Sequence, residues 1–416
     1  MLCQFSFQNF KCFKQEALLD FCAESIGKSD KRLIIDEADG EKFLPVIAIY
    51  GPNGGGKSTV LEALGFLRTC VVRNMLPSLS IDKNSKEDIS KFMHRLLETG
   101  TGEKYHKFDN DCKSIPVSFD VLFRTVNKEY RFQLSLLHDV IVEENLYMRV
   151  IGETDAVIVF ERSEEDCFLG DSLQGIAVEK VKSTMPLISH ISINYDIELI
   201  NDAVSWFFEL SFLDYDNPRR ENRILFPKAK SQQKNFFEML YRMDINISGF
   251  RIEKDLDGNI SKIYTKHTLE DGTSHELLFE EESSGTRKLF SCLADIMECL
   301  RKGKLIIADE LDAKLHPKLL RFIIEMFTDP KSNKKGAQLL LTSHDITTMI
   351  PEVFRRDEIW FCALNPDNAS KLYSLIAFRK ENGKPPRNDE VYGKRYLEGH
   401  YGADPYIRRI LDWGGG

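Results

Sequence analysis

Eight consecutive residues, Gly51-Pro-Asn-Gly-Gly-Gly-Lys57-Ser58, constrain most strongly what this chain can fold into. They fit the phosphate-binding pattern G-x-x-x-x-G-K-[ST] at every fixed position. A β-rich run from Val46 to Tyr50 precedes them, and a helical pattern from Thr59 to Leu64 follows. Glycines let the backbone curl so that successive N–H groups point at an anion, and a helix N-terminus adds partial positive charge. The stretch therefore predicts a strand–loop–helix unit that binds nucleotide phosphates, and a glycine-rich turn that carries Lys-Ser by chance is the weaker alternative.

The side chains of this loop indicate its chemistry. Lys57 would reach the β- and γ-phosphates, and the hydroxyl of Ser58 would bind Mg²⁺. The predicted cofactors are therefore ATP and Mg²⁺. The loop residues predicted to bind the nucleotide are Asn53, Gly54, Gly55, Gly56, Lys57, Ser58 and Thr59.

Charge and cysteine content narrow the class of protein. The net charge is −9 over 416 residues, which argues against a surface that coats nucleic acid by charge alone but leaves a local basic groove open. Nine cysteines without a C-x-x-C pair fit a reducing cytosol better than a disulfide framework or a zinc site.

The N-terminus alternates like a strand, unlike a signal peptide, and no run approaches the roughly 18 to 20 apolar residues of a membrane span. We expect a cytoplasmic protein that does not contact a membrane.

Shifts in composition divide the chain into six predicted segments. Alternation of apolar residues after position 115 indicates antiparallel strands, and the polar stretch before it indicates a surface insertion. The segments are the N-terminal part of the nucleotide-binding core (1–72), a polar insertion (73–115), a β-rich lobe (116–194), a helical insertion (195–245), the C-terminal part of the core (246–380) and a tail (381–416).

Two stretches leave alternatives open. A basic cluster at 218–223, continued by Lys228 and Lys230, lies within the aromatic region 206–237, whose rings look exposed. Such a cluster is usually a solvated face, and a contact with a polyanion or a partner is the alternative. The stretch 255–259 resembles a fragment of a calcium loop, but it lacks the downstream glutamate. Because it lies between two strand patterns, a hairpin turn is predicted there.

Two apolar strands in the second half end in polar residues that suit nucleotide chemistry. The run from Leu305 ends in Asp309 and Glu310. Asp309 would hold the Mg²⁺ shell, and Glu310 would polarise a water for in-line attack. The run from Gln338 ends in His344. An isolated histidine at a strand end is more often structural, but its position after the acidic strand suggests a γ-phosphate sensor.

A short polar turn precedes the acidic strand. Glu282-Ser-Ser-Gly-Thr286 opens a helical run that continues to Ile296. A Ser-x-Gly turn at a helix N-terminus can bind an anion. Ser-Ser-Gly is also a common helix start. Only the position of the turn, between the phosphate-binding loop and the acidic strand, favours an anion-binding role.

The order of these four motifs resembles that of the ABC-type ATPases of the SMC and DNA-repair branch. Asn9-Phe-Lys-Cys-Phe13 is similar to the opening motif of that branch. Within it, Asp309-Glu-Leu-Asp312, Leu315-His-Pro317 and Tyr396-Leu-Glu-Gly-His-Tyr-Gly402 are similar to compact bacterial ATPases of antiphage systems, of the abortive-infection and overcoming-lysogenization-defect types. The resemblance covers roughly residues 1–70 and 245–380.

The resemblance implies an α/β fold, a P-loop NTPase of the ABC/SMC-head type with an antiparallel β lobe and helical insertions. It also implies that two subunits sandwich ATP head to tail. Ser283 and Gly285 would contact the γ-phosphate held by the other subunit, and Asp312 would lie in the loop across that interface. The signature departs from the usual Leu-Ser-Gly-Gly, and the glutamine that normally links the nucleotide to the lobe interface has no clear counterpart, with Gln133 and Gln174 as candidates.

The function expected from this resemblance is ATP hydrolysis by a regulatory subunit of an antiphage system. It would assemble at least as a homodimer and control a separate effector, a toxin or a nuclease. The alternative is a DNA repair or recombination ATPase that clamps nucleic acid when ATP binds. A nuclease with its own cleavage domain is disfavoured, because the roughly 70 residues after His344 show no spaced acidic set for two metals.

Overall fold

The structure, a computed structural model, describes residues 1–25, 31–75, 104–178, 181–213, 230–255, 260–379 and 391–403. Within these ranges the strands are β1 (Leu2–Gln8), β2 (Ala17–Asp20), β3 (Ile34–Ile35), β4 (Lys42–Phe43), β5 (Val46–Tyr50), β6 (Val117–Arg124), β7 (Lys128–Leu137), β8 (Val140–Val150), β9 (Val157–Ser163), β10 (Cys167–Leu169), β11 (Ser211–Leu213), β12 (Gly249–Lys254), β13 (Ile260–Thr268), β14 (Ser274–Leu278), β15 (Leu305–Ala308), β16 (Gln338–Thr342), β17 (Ile359–Leu364) and β18 (Ser370–Ser374). The α-helices are α1 (Lys57–Arg73), α2 (Leu187–Asn194), α3 (Glu198–Glu209), α4 (Lys230–Arg242), α5 (Ser284–Lys302), α6 (Pro317–Thr328) and α7 (Tyr392–Leu397).

A six-stranded sheet with the order β11-β15-β16-β5-β17-β18 carries the phosphate-binding loop. Its strands run parallel except β18, which pairs antiparallel with β17. All five residues of β5 are buried, because helices cover both faces of a parallel sheet. Ile47 and Ile49 pack in the core that includes α1, whereas Val46 and Ala48 pack in the core that includes α5 and α6. The predicted α/β core is confirmed.

A seven-stranded antiparallel sheet forms the second layer, with the order β10-β9-β8-β7-β6-β1-β2. The alternation after position 115 predicts these strands, and their antiparallel pairing confirms it. One face of the sheet packs on helices α1 to α3, where Phe123 stacks on Trp206 with ring centroids 4.2 Å apart. The antiparallel β lobe expected from the resemblance is therefore present.

The described aromatic residues of the region 206–237 pack into the cores of the protein. Trp206 and Phe207 are buried against the antiparallel sheet, and Phe236 packs edge-on against Phe290 with centroids 5.0 Å apart. For these three rings the expected exposure is wrong, because α3 and α4 turn their apolar faces to the two cores. Residues 218–223 and Lys228 lie outside the described residues.

The turn between β1 and β2 is hydrogen-bonded to residues 106–115, the C-terminal part of the polar insertion. Asn9 adopts a left-handed backbone with φ of 55°, which asparagine tolerates better than most residues. Its amide Nδ2 donates to the carbonyl oxygens of Cys112 and Ile115, each at 2.8 Å, and its Oδ1 accepts from the N–H of His106 at 3.0 Å. Residues 76–103 of the insertion lie outside the described residues.

Gln338 joins the first strand of the chain to the parallel sheet. Its Oε1 accepts from the N–H of Leu2 at 2.7 Å, and its Nε2 donates to the carbonyl of Leu2 at 2.9 Å. Gln338 is buried, so both of its polar ends are satisfied by a residue 336 positions away. The two layers are therefore fixed to each other at the first residue of β16.

A small antiparallel sheet, β12-β13-β14, precedes the signature helix α5. The antiparallel pairing of β12 with β13 confirms the hairpin predicted around 255–259, although residues 256–259 themselves lie outside the described part. Among the helices of the described residues, none is long and apolar enough to cross a membrane.

Candidate nucleotide site

The phosphate-binding loop connects β5 to α1 through backbone conformations that favour glycine. Gly51, Gly54 and Gly56 have φ values of 152°, 76° and 103°. A Cβ on Gly51 would lie 2.3 Å from the carbonyl oxygen of Cys362, on the neighbouring strand β17. The loop therefore requires glycine at position 51 both for its conformation and for the close approach of β17.

Lys57 occupies the first turn of α1 and folds back over the loop. Its Nζ donates to the carbonyl oxygens of Gly51 at 3.0 Å and Pro52 at 3.2 Å. The residue is only 6% exposed, and this burial lowers the pKa of its ammonium group. A phosphate group in the loop would offer Lys57 stronger, charged acceptors than these two carbonyls.

The loop is exposed at its tip and packed at its back. Asn53 and Gly54 are exposed at its tip, whereas Gly56 is buried. A Cβ on Gly56 would lie 2.9 Å from the ring of Phe13 and 3.0 Å from the sulfur of Cys12. Phe13 and Cys12 of the Asn9-Phe-Lys-Cys-Phe13 motif therefore pack against the back of the loop.

The acidic pair lies at the carboxyl end of β15, two strands from β5 in the same sheet. The hydroxyl of Thr342 donates to Asp309 Oδ1 at 2.5 Å and accepts from the N–H of Glu310 at 2.7 Å. Glu310 has φ of 45°, a conformation that costs free energy for a residue with a side chain. The contacts of Thr342 thus hold a strained turn at the predicted catalytic position.

The donor set at this edge of the sheet fits Mg²⁺. Ser58 and Asp309 offer a hydroxyl and a carboxylate, hard oxygen ligands of the kind that Mg²⁺ uses together with water and substrate phosphates. Among the described residues no group of three or more His, Cys, Asp or Glu side chains could hold a metal ion.

His344 follows β16 and lies beside the acidic pair. Its Nε2 is 3.8 Å from Glu310 Oε1, and its backbone N–H donates to Asp312 Oδ2 at 3.1 Å. The other oxygen of Asp312 is buried and accepts no hydrogen bond within the described part of the chain. The structure therefore brings together three residues that the sequence predicts separately.

The signature turn lies against the loop that follows the acidic pair. Ser283 caps α5, and its hydroxyl accepts from the N–H of Thr286 at 3.1 Å. A Cβ on Gly285 would lie 2.7 Å from the carbonyl oxygen of Lys314. The capped helix start that the sequence predicts is present, and its glycine allows the acidic loop to approach.

Lys288 and Thr342 are two site residues that the sequence motifs do not reveal. Lys288 is 5% exposed, and its Nζ donates to the carbonyl oxygens of Glu310 at 3.0 Å and Ala313 at 2.6 Å. It thereby connects the signature helix to the acidic loop. A hydroxyl residue two positions before a strand-end histidine is the only sequence signal for Thr342, and Lys288 has none that we could identify.

Gln133 and Gln174, the two candidates for the linking glutamine, are both engaged in the antiparallel layer. Gln133 donates to Asp120 Oδ2 at 2.8 Å and accepts from Asn145. Gln174 donates to Asp171 Oδ1 at 2.9 Å. The link between either glutamine and the nucleotide stays a prediction.

Parallel strands carry a phosphate-binding loop and an acidic pair at one edge of the sheet, and an antiparallel β lobe lies beside them. This arrangement is that of a P-loop NTPase. Residues 46–349 match the model of the family described as "AAA domain, putative AbiEii toxin, Type IV TA system". This chain belongs to that family.

Comparison with solved structures finds weak similarities. An SMC head domain from Thermotoga maritima is 14% identical with a TM-score of 0.40, and the alignment covers 90% of this chain and 98% of that chain. An SMC head bound to the C-terminal winged-helix domain of ScpA is 13% identical with a TM-score of 0.42, with 90% and 97% covered. No curated protein matches the chain.

Proposed function

We propose that this protein binds and hydrolyses ATP between two copies of the chain. The observation that carries the proposal is a shared edge of the sheet, since the loop with Lys57, the acidic pair and His344 follow the carboxyl ends of three adjacent parallel strands, β5, β15 and β16. Ligands of open α/β sheets bind at this edge.

The chain's own residues would divide the reaction among them. Lys57 and the N–H groups of the loop hold the β- and γ-phosphates, and Ser58 and Asp309 hold Mg²⁺, which neutralises phosphate charge when bound. Glu310 accepts a proton from the attacking water. His344 lies beside Glu310 and contacts the γ-phosphate, so that it distinguishes ATP from ADP.

The second copy would complete the site. The N–H groups at the start of α5 and the hydroxyl of Ser283 are anion ligands, and Gly285 keeps that turn free of side chain. We place them on the γ-phosphate of the partner copy's nucleotide, with Asp312 in the loop at the same interface. Hydrolysis would then require assembly, and its rate per subunit would rise with protein concentration.

Two substitutions test this chemistry. Lys57→Ala is expected to abolish ATP binding, whereas Glu310→Gln is expected to keep ATP bound and trap the assembled form. Matched controls are Lys318→Ala and Glu325→Gln on exposed positions of α6. Phosphate release and sedimentation with and without ATP are the measurements. Wild-type turnover in Glu310→Gln would exclude Glu310 as the base.

The biological role we propose is regulation of a separate effector, a toxin or a nuclease, in an antiphage system. The family description concerns a toxin and a type IV TA system, and this supports a system with more than one component. The test is a pull-down of Glu310→Gln protein from its native host, with Lys57→Ala as control. A stoichiometric protein partner enriched only with the ATP-trapped form is expected. Nuclease-sensitive DNA without a protein partner would instead favour the DNA clamp.

A further inference from the structure

The small sheet β12-β13-β14 is hydrogen-bonded to the signature turn through one carboxylate. Glu282 directly precedes Ser283, and its Oε1 accepts from Thr265 Oγ1 at 2.5 Å and from His267 Nε2 at 2.7 Å. Its side chain is only 8% exposed. The Thr265 hydroxyl donates to this oxygen, and His267 donates to it in the tautomer that carries its proton on Nε2.

Apolar contacts place the same sheet firmly on the signature helix. Ile263 of β13 is buried in the core that includes α5. Phe279, just after β14, packs on Phe290 of α5 with ring centroids 5.4 Å apart. These contacts set the distance between sheet and helix, whereas the contacts of Glu282 set the direction in which the chain enters the helix.

We infer that Thr265 and His267 are positioning residues that act through Glu282 on the signature turn and so on its engagement of the partner copy's nucleotide. The inference rests on the proposed function. Ser283, whose hydroxyl and following N–H groups would face that nucleotide, is the next residue in the chain. A rotation at Glu282 therefore displaces these groups directly, while Lys57 and the chain's own phosphate-binding loop stay unchanged.

The structure provides a matched control. His275 of β14 lies directly opposite His267 in the strand register and is exposed. His267→Ala and His275→Ala remove the same side chain from neighbouring positions of one sheet. His267→Gln keeps an N–H donor near the position of Nε2 and serves as the rescue variant.

The experiment separates nucleotide binding from assembly. Each variant is made alone and in the Glu310→Gln background, and the affinity for a fluorescent ATP analogue, ATP-dependent sedimentation and phosphate release are measured against protein concentration. For His267→Ala we expect unchanged nucleotide affinity and about tenfold weaker ATP-dependent assembly, as for loss of one hydrogen bond to a charged group. Turnover should fall with assembly, and His267→Gln should recover most of it.

The outcomes distinguish this inference from the proposed function. If His267→Ala and His275→Ala assemble and turn over alike, the positioning role is excluded. If His267→Ala weakens nucleotide affinity as much as assembly, or lowers the urea midpoint without rescue by glutamine, His267 has only a structural role. If the Glu310→Gln protein does not assemble with ATP at all, the proposed function fails, and this inference fails with it.

Discussion

The hydroxyl of Thr342 donates a 2.5 Å hydrogen bond to Asp309, and so joins the end of one parallel strand to the acidic end of its neighbour. The same oxygen accepts the N–H of Glu310. One buried side chain thus orients the carboxylate of Asp309 and holds the backbone of Glu310.

Replacement of Thr342 by valine tests this relationship. The isosteric change removes a hydrogen bond to a charged group, worth about 1.5 to 3 kcal/mol, so ATP turnover should fall about 10- to 100-fold. Nucleotide binding through Lys57 should persist. Thr342→Ser keeps the hydroxyl and should stay close to wild type in phosphate release. Equal activity of the valine and serine variants would contradict the role of the hydroxyl.

Lys288 should contribute mainly to the stability of the acidic loop. Lys288→Met leaves two carbonyl oxygens of partly buried residues, Glu310 and Ala313, without the ammonium donor. We expect the free energy of unfolding to fall by about 2 to 4 kcal/mol, together with loss of turnover. Urea denaturation measures the first effect. The exposed Lys318 provides the control, and an unfolding midpoint equal to that of Lys318→Met would show that the contact is dispensable.

Gly285 should tolerate no side chain. Its Cβ would meet the backbone oxygen of Lys314 at 2.7 Å, whereas a Cβ on Gly249 meets only side-chain atoms at 3.6 Å. Gly285→Ala should therefore shift the acidic loop at a cost of about 1 to 3 kcal/mol and weaken ATP-dependent assembly. Gly249→Ala should behave as wild type. Sedimentation with ATP compares the two, and equal assembly would argue against contact of this turn with the second copy.

The pH dependence of stability should reveal Glu358, which lies just before β17. Burial raises the pKa of this carboxyl from its ordinary value of 4.5 to about 8, and the hydrogen bond from Arg355 opposes the shift only in part. Between pH 4.5 and about pH 8, Glu358 holds a proton in the folded chain and releases it in the unfolded chain. Stability should therefore fall as pH rises from about 4.5 to 8.

Glu358→Gln removes this titration. The variant should lose less stability than wild type between pH 5 and pH 8, with a difference of a few kcal/mol at most, about 1.4 kcal/mol for each pKa unit. Urea midpoints at several pH values measure it, and Glu352→Gln on the exposed side of the same segment is the control. Burial also raises the pKa of Glu144 to about 7, so some pH dependence remains in both proteins. If the urea midpoints of Glu358→Gln and wild type depend on pH in the same way, the titration does not belong to Glu358.

The parts of the site that sequence could predict are those encoded by neighbouring residues. The loop from Gly51 to Ser58 and the pair Asp309–Glu310 each follow an apolar strand, and parallel strands bring their carboxyl ends to one edge. Placement at that edge follows from the strand types alone.

The parts that sequence could not predict depend on the register between distant segments. Thr342 is 33 residues from Asp309, and Lys288 is 22 residues from Glu310. Only the folded pairing of β15 with β16 brings Thr342 to the acidic strand. The prediction that Trp206 is exposed was wrong for a related reason. The antiparallel sheet that covers this ring is built from distant segments of the chain, so the local sequence does not reveal its burial.

The position of β5 in its sheet has a consequence for biosynthesis. Its two neighbours, β16 and β17, are encoded far downstream. At about 5 to 20 residues per second, the roughly 300 residues that separate β5 from these two strands take on the order of 15 to 60 seconds to synthesise. Until then the nascent chain carries the complete glycine-rich motif but has no sheet to hold it. A chain truncated before β16 would therefore present the glycine-rich loop without the two strands that flank β5, and we expect such a chain not to bind ATP.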